Sequence, residues 1–184
     1  MQRKASKTHP AKAIDWPAAI HSAFKSHSVR QVSYVPDAGH KRLIELCRAD
    51  KGMTAVALTT EEEGVALAAG AWLGGERAAL LMQSSGVGNC ANALTLAATC
   101  GFPLLMLVTM RGEAGERNPW QVPMGQATPE ALRLAGVRTL RLERAEEASA
   151  VANTAARIAF EEQSAVALLI SQQLIGVKSF EEKR

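Results

Sequence analysis

Three consecutive acids, Glu61, Glu62 and Glu63, follow Thr59-Thr60 and precede a small-residue run, Gly64-Val65-Ala66-Leu67-Ala68-Ala69-Gly70. At a helix N-terminus such carboxylates complement the macrodipole, and charge capping alone would account for them. The alanines that follow let a second helix or a ligand come close. A carboxylate desolvated against that surface gains the raised pKa that acid–base chemistry needs. A second segment is Gln83-Ser84-Ser85-Gly86-Val87-Gly88-Asn89-Cys90-Ala91, placed after a strand-like run and opening a helical one. Its backbone N–H groups could cradle an anion. Gly86-x-Gly88-x-x-Ala91 also fits the dinucleotide fingerprint loosely. That fingerprint wants an acid at the end of the next strand, where Thr109-Met110-Arg111 offers none, so only a 2′-phosphate facing Arg111 keeps the oxidoreductase alternative.

Two further segments carry charge at places where ligands gather. Arg111-Gly112-Glu113 opens a polar stretch that Gln121 and Pro123-Met124-Gly125 close. Arg111 beside glycine is a candidate anion clamp, the alternative being a rim arginine paired with Glu113. In Val35-Pro36-Asp37-Ala38-Gly39-His40, Asp37 and His40 are either site groups or simple helix caps.

These segments sit between alternating helical and strand-like periods. Helices are expected from Asp15, a cap with Pro17 in the first turn, to about Ser28, and over Lys41–Lys51, Glu61–Leu73, Asn89–Cys100, Pro129–Ala135 and Ala145–Glu162. Thr59 or Thr60 caps the third of these. Strands are expected at Val29–Val35, Met53–Leu58, Ala78–Gln83, Pro103–Thr109, Arg138–Leu142 and Ala165–Ser171; the fourth is almost continuously apolar, as strands buried on both faces are. Arg111–Gln126 reads as a long polar loop. Six strands separated mostly by helices imply a single three-layer α/β/α domain, residues 14–184, around a mostly parallel six-stranded sheet. Residues 1–13 read as a disordered basic tail. Ligands in such sheets collect beyond the carboxyl ends of the strands, where all four polar segments lie.

Composition excludes several classes. The 184 residues carry 21 Lys+Arg and 18 Asp+Glu, but Arg3, Lys4, Lys7 and Lys12 all precede the first acid. Without those four the body is near neutral, which argues against a folded nucleic-acid face, and 4% aromatic content is too little for a base-stacking platform. Cys47, Cys90 and Cys100 are odd in number and lack zinc-pair spacing, so they read as reduced, buried thiols in a reducing, cytoplasmic compartment. No apolar run is long enough to span a membrane, and the N-terminus lacks the apolar core of a secretory signal.

Taken together, the Val-Pro-Asp after the first strand, the Glu61 helix ending at Gly70, QSSGVGN, MRGE and PMGQATPEAL resemble the sulfopyruvate and phosphonopyruvate decarboxylases. More narrowly they resemble the α-subunit type, the pyrimidine-binding half of a thiamin-diphosphate enzyme, over about Val32 to Val166. The resemblance implies that Glu61, nine residues before Gly70, hydrogen-bonds N1′ of the aminopyrimidine and so promotes formation of the thiazolium ylid that attacks a 2-oxoacid. It implies cofactor contacts from Ser85, Gly86, Gly88 and Asn89, and substrate contacts from Asp37, His40, Arg111 and Gln121. Ala38 stands where family members commonly place Ser. No Gly-Asp-Gly, the family's diphosphate and Mg²⁺ motif, occurs in this sequence. The resemblance therefore implies a partner β chain that holds Mg²⁺ and the diphosphate, with no metal ligands here. It implies a hetero-oligomer, or a homodimer when isolated, acting on a small anionic 2-oxoacid to give an aldehyde. A non-catalytic interaction subunit of the same fold is the other alternative.

Overall fold

The computed structural model describes residues 14–176; the expected tail over 1–13 lies outside them, as do 177–184. Six parallel strands form the middle layer: β1 (Val29–Tyr34), β2 (Thr54–Ala57), β3 (Arg77–Gln83), β4 (Leu104–Thr109), β5 (Arg138–Leu142) and β6 (Ala165–Ile170). Their order is β2-β1-β3-β4-β6-β5, and every pairing is parallel. The helices are α1 (Trp16–Ser26), α2 (Lys41–Ala49), α3 (Glu61–Leu73), α4 (Ser84–Cys100), α5 (Val122–Leu134), α6 (Ala148–Phe160) and a short α7 (Gln172–Ile175).

The two-residue period of each strand divides the core. Leu81, Leu105, Leu107, Val166 and Leu168 face α1, α2 and α6, where they meet Ile20, Phe24, Leu43 and Phe160. Leu80, Met82, Met106, Val108 and Leu169 face α3, α4 and α5, meeting Val65, Val87, Leu94 and Leu132. Every residue of β4 and β6 is buried, as central strands of a doubly covered sheet must be.

Of the boundaries that differ from the sequence reading, three matter most here. α1 ends at Ser26, because Ser28 takes a positive φ of 56° that leads into β1. α4 begins at Ser84, so the Ser-Gly segment read as a loop is its first turns. α5 begins at Val122, and Pro129 lies inside it. What replaces the long loop is a shorter connection, residues 110–118, with a 3₁₀ turn at Pro119–Gln121. Gly125 allows this: a side chain there would collide with the backbone carbonyl of Arg111.

The strand order reverses beside β1. From β1 the chain steps outward to β2, then crosses back to β3 on the other side and continues to β4. The crevice between the carboxyl ends of β1 and β3 is therefore the topological switch point, where open α/β sheets bind ligands.

Candidate active site

Asp37, just past β1, and Gln83, the last residue of β3, meet across that crevice: Gln83 Nε2 donates to Asp37 Oδ1 at 3.0 Å. Asp37 also caps the 3₁₀ turn Ala38–His40, its Oδ2 accepting from the Gly39 N–H at 3.0 Å. Thr109 Oγ1 donates to Oδ2 at 2.7 Å and the Arg111 guanidinium to Oδ1 at 3.3 Å. The carboxylate thus receives four donors with its side chain 4% exposed. Burial pushes its pKa up, but Thr109, His40, Arg111 and Gln83 outweigh that and hold it below the usual carboxylate value.

Arg111 is equally enclosed, so it is not the open anion clamp that its sequence context suggests. Its N–H donates to Ser84 Oγ at 3.1 Å, fixing the start of α4. Nor does it pair with Glu113, whose carboxylate meets Arg141 and the Gln172 N–H instead. His40 departs from expectation in the same way: its ring is fully buried, with Nε2 3.1 Å from both the Met82 and Leu107 carbonyls. Two acceptors require that Nε2 carry the proton. Burial lowers its pKa, against the opposing pull of Asp37. The Asp37, His40 and Arg111 side chains are therefore engaged inside the chain, although Asp37 also borders a cavity of about 430 Å³ together with Pro36, Ala38 and Lys41.

Glu61 is arranged differently. Of the three acids, Glu63 does the capping, its Oε2 accepting from the Thr59 N–H at 2.9 Å, while neither threonine side chain caps α3. Glu62 faces solvent, and Glu61 turns inward, 7% exposed. Asn89 Nδ2 donates to Glu61 Oε2 at 2.8 Å, and Oε1 takes no hydrogen bond from the described residues. Gly86 makes this possible: a Cβ there would overlap the Glu61 carboxylate. The negative charge that the first turn of α4 favours is thus supplied by the chain itself. The Gly86-x-Gly88-x-x-Ala91 run lies within that helix rather than in a phosphate loop, which removes the dinucleotide reading.

Beside Asn89 opens a cavity of about 480 Å³, lined by Ser85, Asn89, Trp120, Pro123 and Met124. Gly88 gives Met124 room, since a Cβ would come 3.3 Å from its sulfur. Trp120 is 73% exposed at the rim. Ser85 Oγ and Gln121 Nε2 both donate to Gln83 Oε1, at 2.8 and 2.9 Å. Gln83, which sequence reasoning passes over, joins Ser85 and Gln121 to Asp37. A glutamine ending a strand has no signature of its own, and its partners come from three distant segments.

Among the cysteines, Cys47 and Cys90 are buried, with burial pushing each thiol up to about 12, so they are inert. Cys100 is exposed, contrary to expectation, because α4 ends there over solvent. No helix among the described residues is long and apolar enough to cross a membrane.

The donor set fits the cofactor implied by the sequence. Glu61 keeps one oxygen free of hydrogen-bond donors, packed against Gly86, and its partner Asn89 lines the cavity with Ser85, Trp120, Pro123 and Met124. Residues 16–135 match the family described as "Thiamine pyrophosphate enzyme, N-terminal TPP binding domain". The chain is 35% identical over 152 residues to the sulfopyruvate decarboxylase subunit alpha of Methanocaldococcus jannaschii, covering 82% of this chain and 90% of that protein. It is 37% identical over 108 residues to the phosphonopyruvate decarboxylase of Streptomyces viridochromogenes, covering 58% of this chain and 27% of that one. In fold it matches a 2-oxoglutarate:ferredoxin oxidoreductase from Magnetococcus marinus at a TM-score of 0.69 and 14% identity, covering 95% of this chain and 33% of that chain.

Proposed function

The chain belongs to the thiamine pyrophosphate enzymes, as their N-terminal cofactor-binding domain, and on that premise we propose that it is the α subunit of a 3-sulfopyruvate decarboxylase. The reaction is non-oxidative: carbon dioxide leaves, a proton takes its place, and the product is an aldehyde. The observation that carries this reading is Glu61, buried, steadied on one oxygen by Asn89 and open on the other. Bound thiamin diphosphate supplies a carbon nucleophile and a sink for the electron pair that decarboxylation releases. Glu61 Oε1 would hold the proton shared with N1′ of the aminopyrimidine, while Asn89 fixes the carboxylate's rotamer and Gly86 gives that carboxylate room. Trp120, Pro123 and Met124 give the adjoining cavity an apolar wall.

Sulfonate is preferred to phosphonate as the substrate's second anion on grounds of chain architecture. The relative named for sulfopyruvate is matched over 90% of its length, whereas the phosphonopyruvate relative is matched over 27%. The diphosphate and Mg²⁺ belong to a β chain carrying Gly-Asp-Gly, a motif this sequence lacks. The outer surface of α4 supports such a partner: its 17 residues include no charged side chain, and Ala91, Asn92, Leu96, Ala98 and Thr99 are exposed on it. The soluble cytoplasm is the compartment proposed for the assembly.

The test is reconstitution. The chain purified alone, supplied with thiamin diphosphate and Mg²⁺, should not decarboxylate sulfopyruvate; mixed with a Gly-Asp-Gly partner it should. Turnover by the chain alone would overturn the two-chain reading. A complex that assembles and binds cofactor without turnover would make this a non-catalytic interaction subunit.

A further inference from the structure

A hydrogen-bond donor must lie between any two polar atoms at hydrogen-bond distance, and that requirement fixes the direction of the Gln83 network. Asp37 is ionised and fully occupied by donors, so it can only accept. The Gln83 amide must then present Nε2 to Asp37, which leaves Oε1 pointing at Ser85 and Gln121. Oε1 carries no proton. The single proton of the Ser85 hydroxyl must therefore lie on the 2.8 Å line to Gln83.

We propose that Gln83 is a positioning residue that engages the Ser85 proton inside the chain, so that Ser85 Oγ faces the cavity only as a hydrogen-bond acceptor. Asn89 adds an acceptor to this wall: one N–H of its amide is given to Glu61, and its Oδ1 takes no hydrogen bond from the described residues. A wall built this way selects a ligand that brings N–H groups and turns away carboxylate or sulfonate oxygens. Resting on the reading above, the inference assigns this wall to the amino group of the cofactor's aminopyrimidine. The substrate's two anionic groups then bind elsewhere, on side chains contributed by the partner chain, which agrees with the enclosure of Arg111.

The polarity can be inverted and restored. Asp37→Asn supplies an amide that can donate to Gln83 Oε1, turning the Gln83 amide so that it presents N–H to Ser85. Gln83→Glu alone sets two carboxylates against each other. The double variant Asp37→Asn/Gln83→Glu exchanges the two groups and rebuilds the original direction. Its amide, now at position 37, donates to the carboxylate at position 83, which accepts from Ser85 and Gln121; Arg111, which shared the Asp37 Oδ1 with Gln83, loses that acceptor. The affinity of the reconstituted complex for thiamin diphosphate should fall about tenfold in each single variant, the scale of one charge-assisted hydrogen bond. In the double variant it should return to within about threefold of the parent; a residue that merely fills space would give compounding losses. Thermal midpoints of the full chain alone should fall in both single variants and recover only in part in the double variant, where Arg111 has lost its carboxylate.

Compounded losses in both measurements would overturn the inference. Recovery of the midpoint without recovery of affinity would also overturn it, by confining Gln83 to the scaffold. Failure of the parent complex to bind thiamin diphosphate would remove the functional reading and the ligand assigned here. The thermal cycle would still decide whether Gln83 is held in this direction.

Discussion

Glu61 and Asp37 stand at the same carboxyl edge of the sheet, and both are almost wholly shielded from water, yet one keeps an oxygen free while the other receives four donors. Asp37 is held by groups from β3, β4 and the turn that it caps, so its charge serves to join strands. Glu61 is held by a single amide, and its other oxygen fills the place a Gly86 side chain would take and receives no hydrogen bond from the described residues. A buried carboxylate is therefore not by itself a sign of chemistry. The sign is a carboxylate whose surroundings stop one hydrogen bond short.

The sharpest test of that contrast is Glu61→Gln. The amide preserves size and the Asn89 contact on one side but cannot hold the N1′ proton. Turnover of the reconstituted complex should fall by ~10²–10⁴-fold while assembly and thermal midpoint stay near the parent values. If Glu62→Gln shows the loss and Glu61→Gln does not, the assignment is displaced by one residue and the contrast collapses.

Arg111→Met probes the opposite member. Removing one partner of a buried ion pair leaves the other uncompensated and typically costs about 3–5 kcal/mol. The expected result is a lower midpoint in chemical or thermal unfolding, with the KM for sulfopyruvate unchanged in whatever fraction stays folded. A raised KM for sulfopyruvate but not for pyruvate, at an unchanged midpoint, would return Arg111 to the anion-clamp role that its sequence context suggests.

Why one of these residues is readable in the sequence and the other is not is a matter of chain distance. Glu61 and the alanines after it lie in one helix, and the residue spacing to Gly70 marks it within the resemblance. The six strands are equally legible, because period and continuous apolar character are local properties. Arg111 and Asp37 are 74 positions apart, and nothing in Arg-Gly-Glu announces that its cation will be buried against a carboxylate from another strand. The starts of α4 and α5 escape a sequence reading for a related reason. Ser-Ser-Gly-Val-Gly and Pro-Met-Gly read as loops by propensity, since glycine costs about 1 kcal/mol in a helix. Tertiary contact overrides that here: Gly86 makes way for Glu61, Gly88 for Met124 and Gly125 for the Arg111 carbonyl.

Gly86→Ala follows in expected size. The added methyl overlaps the Glu61 carboxylate, and forcing extra volume into a packed site costs roughly 1–3 kcal/mol. Because the displaced carboxylate is the group proposed to meet the aminopyrimidine, thiamin diphosphate affinity should fall together with the thermal midpoint. Gly70→Ala, also within a helix but with no atom within 4 Å of the added carbon, should leave the affinity unchanged and raise the midpoint, by about 1 kcal/mol of helix propensity. Equal effects at the two positions would mean that helix propensity, and not the approach of Glu61, decides the outcome.

The smallest effect separates the two regions by pH. His40 is buried beside Asp37 with its pKa below the usual 6.5, so in the folded chain it stays neutral where the unfolded chain takes up a proton. The unfolded state binds more protons, and stability must therefore fall as pH drops below 6.5, by at most about 1.4 kcal/mol per unit. Asp37 acts in a lower window: its contribution is complete above its ordinary value of 3.8 and is lost as pH falls through its depressed folded value. Unfolding midpoints between about pH 7.5 and 5 should decline with a slope that His40→Gln flattens, since the glutamine amide can still donate toward the Met82 and Leu107 carbonyls without titrating. A slope that survives His40→Gln would place the acid sensitivity outside the Asp37 cluster and break the division drawn between the two carboxylates.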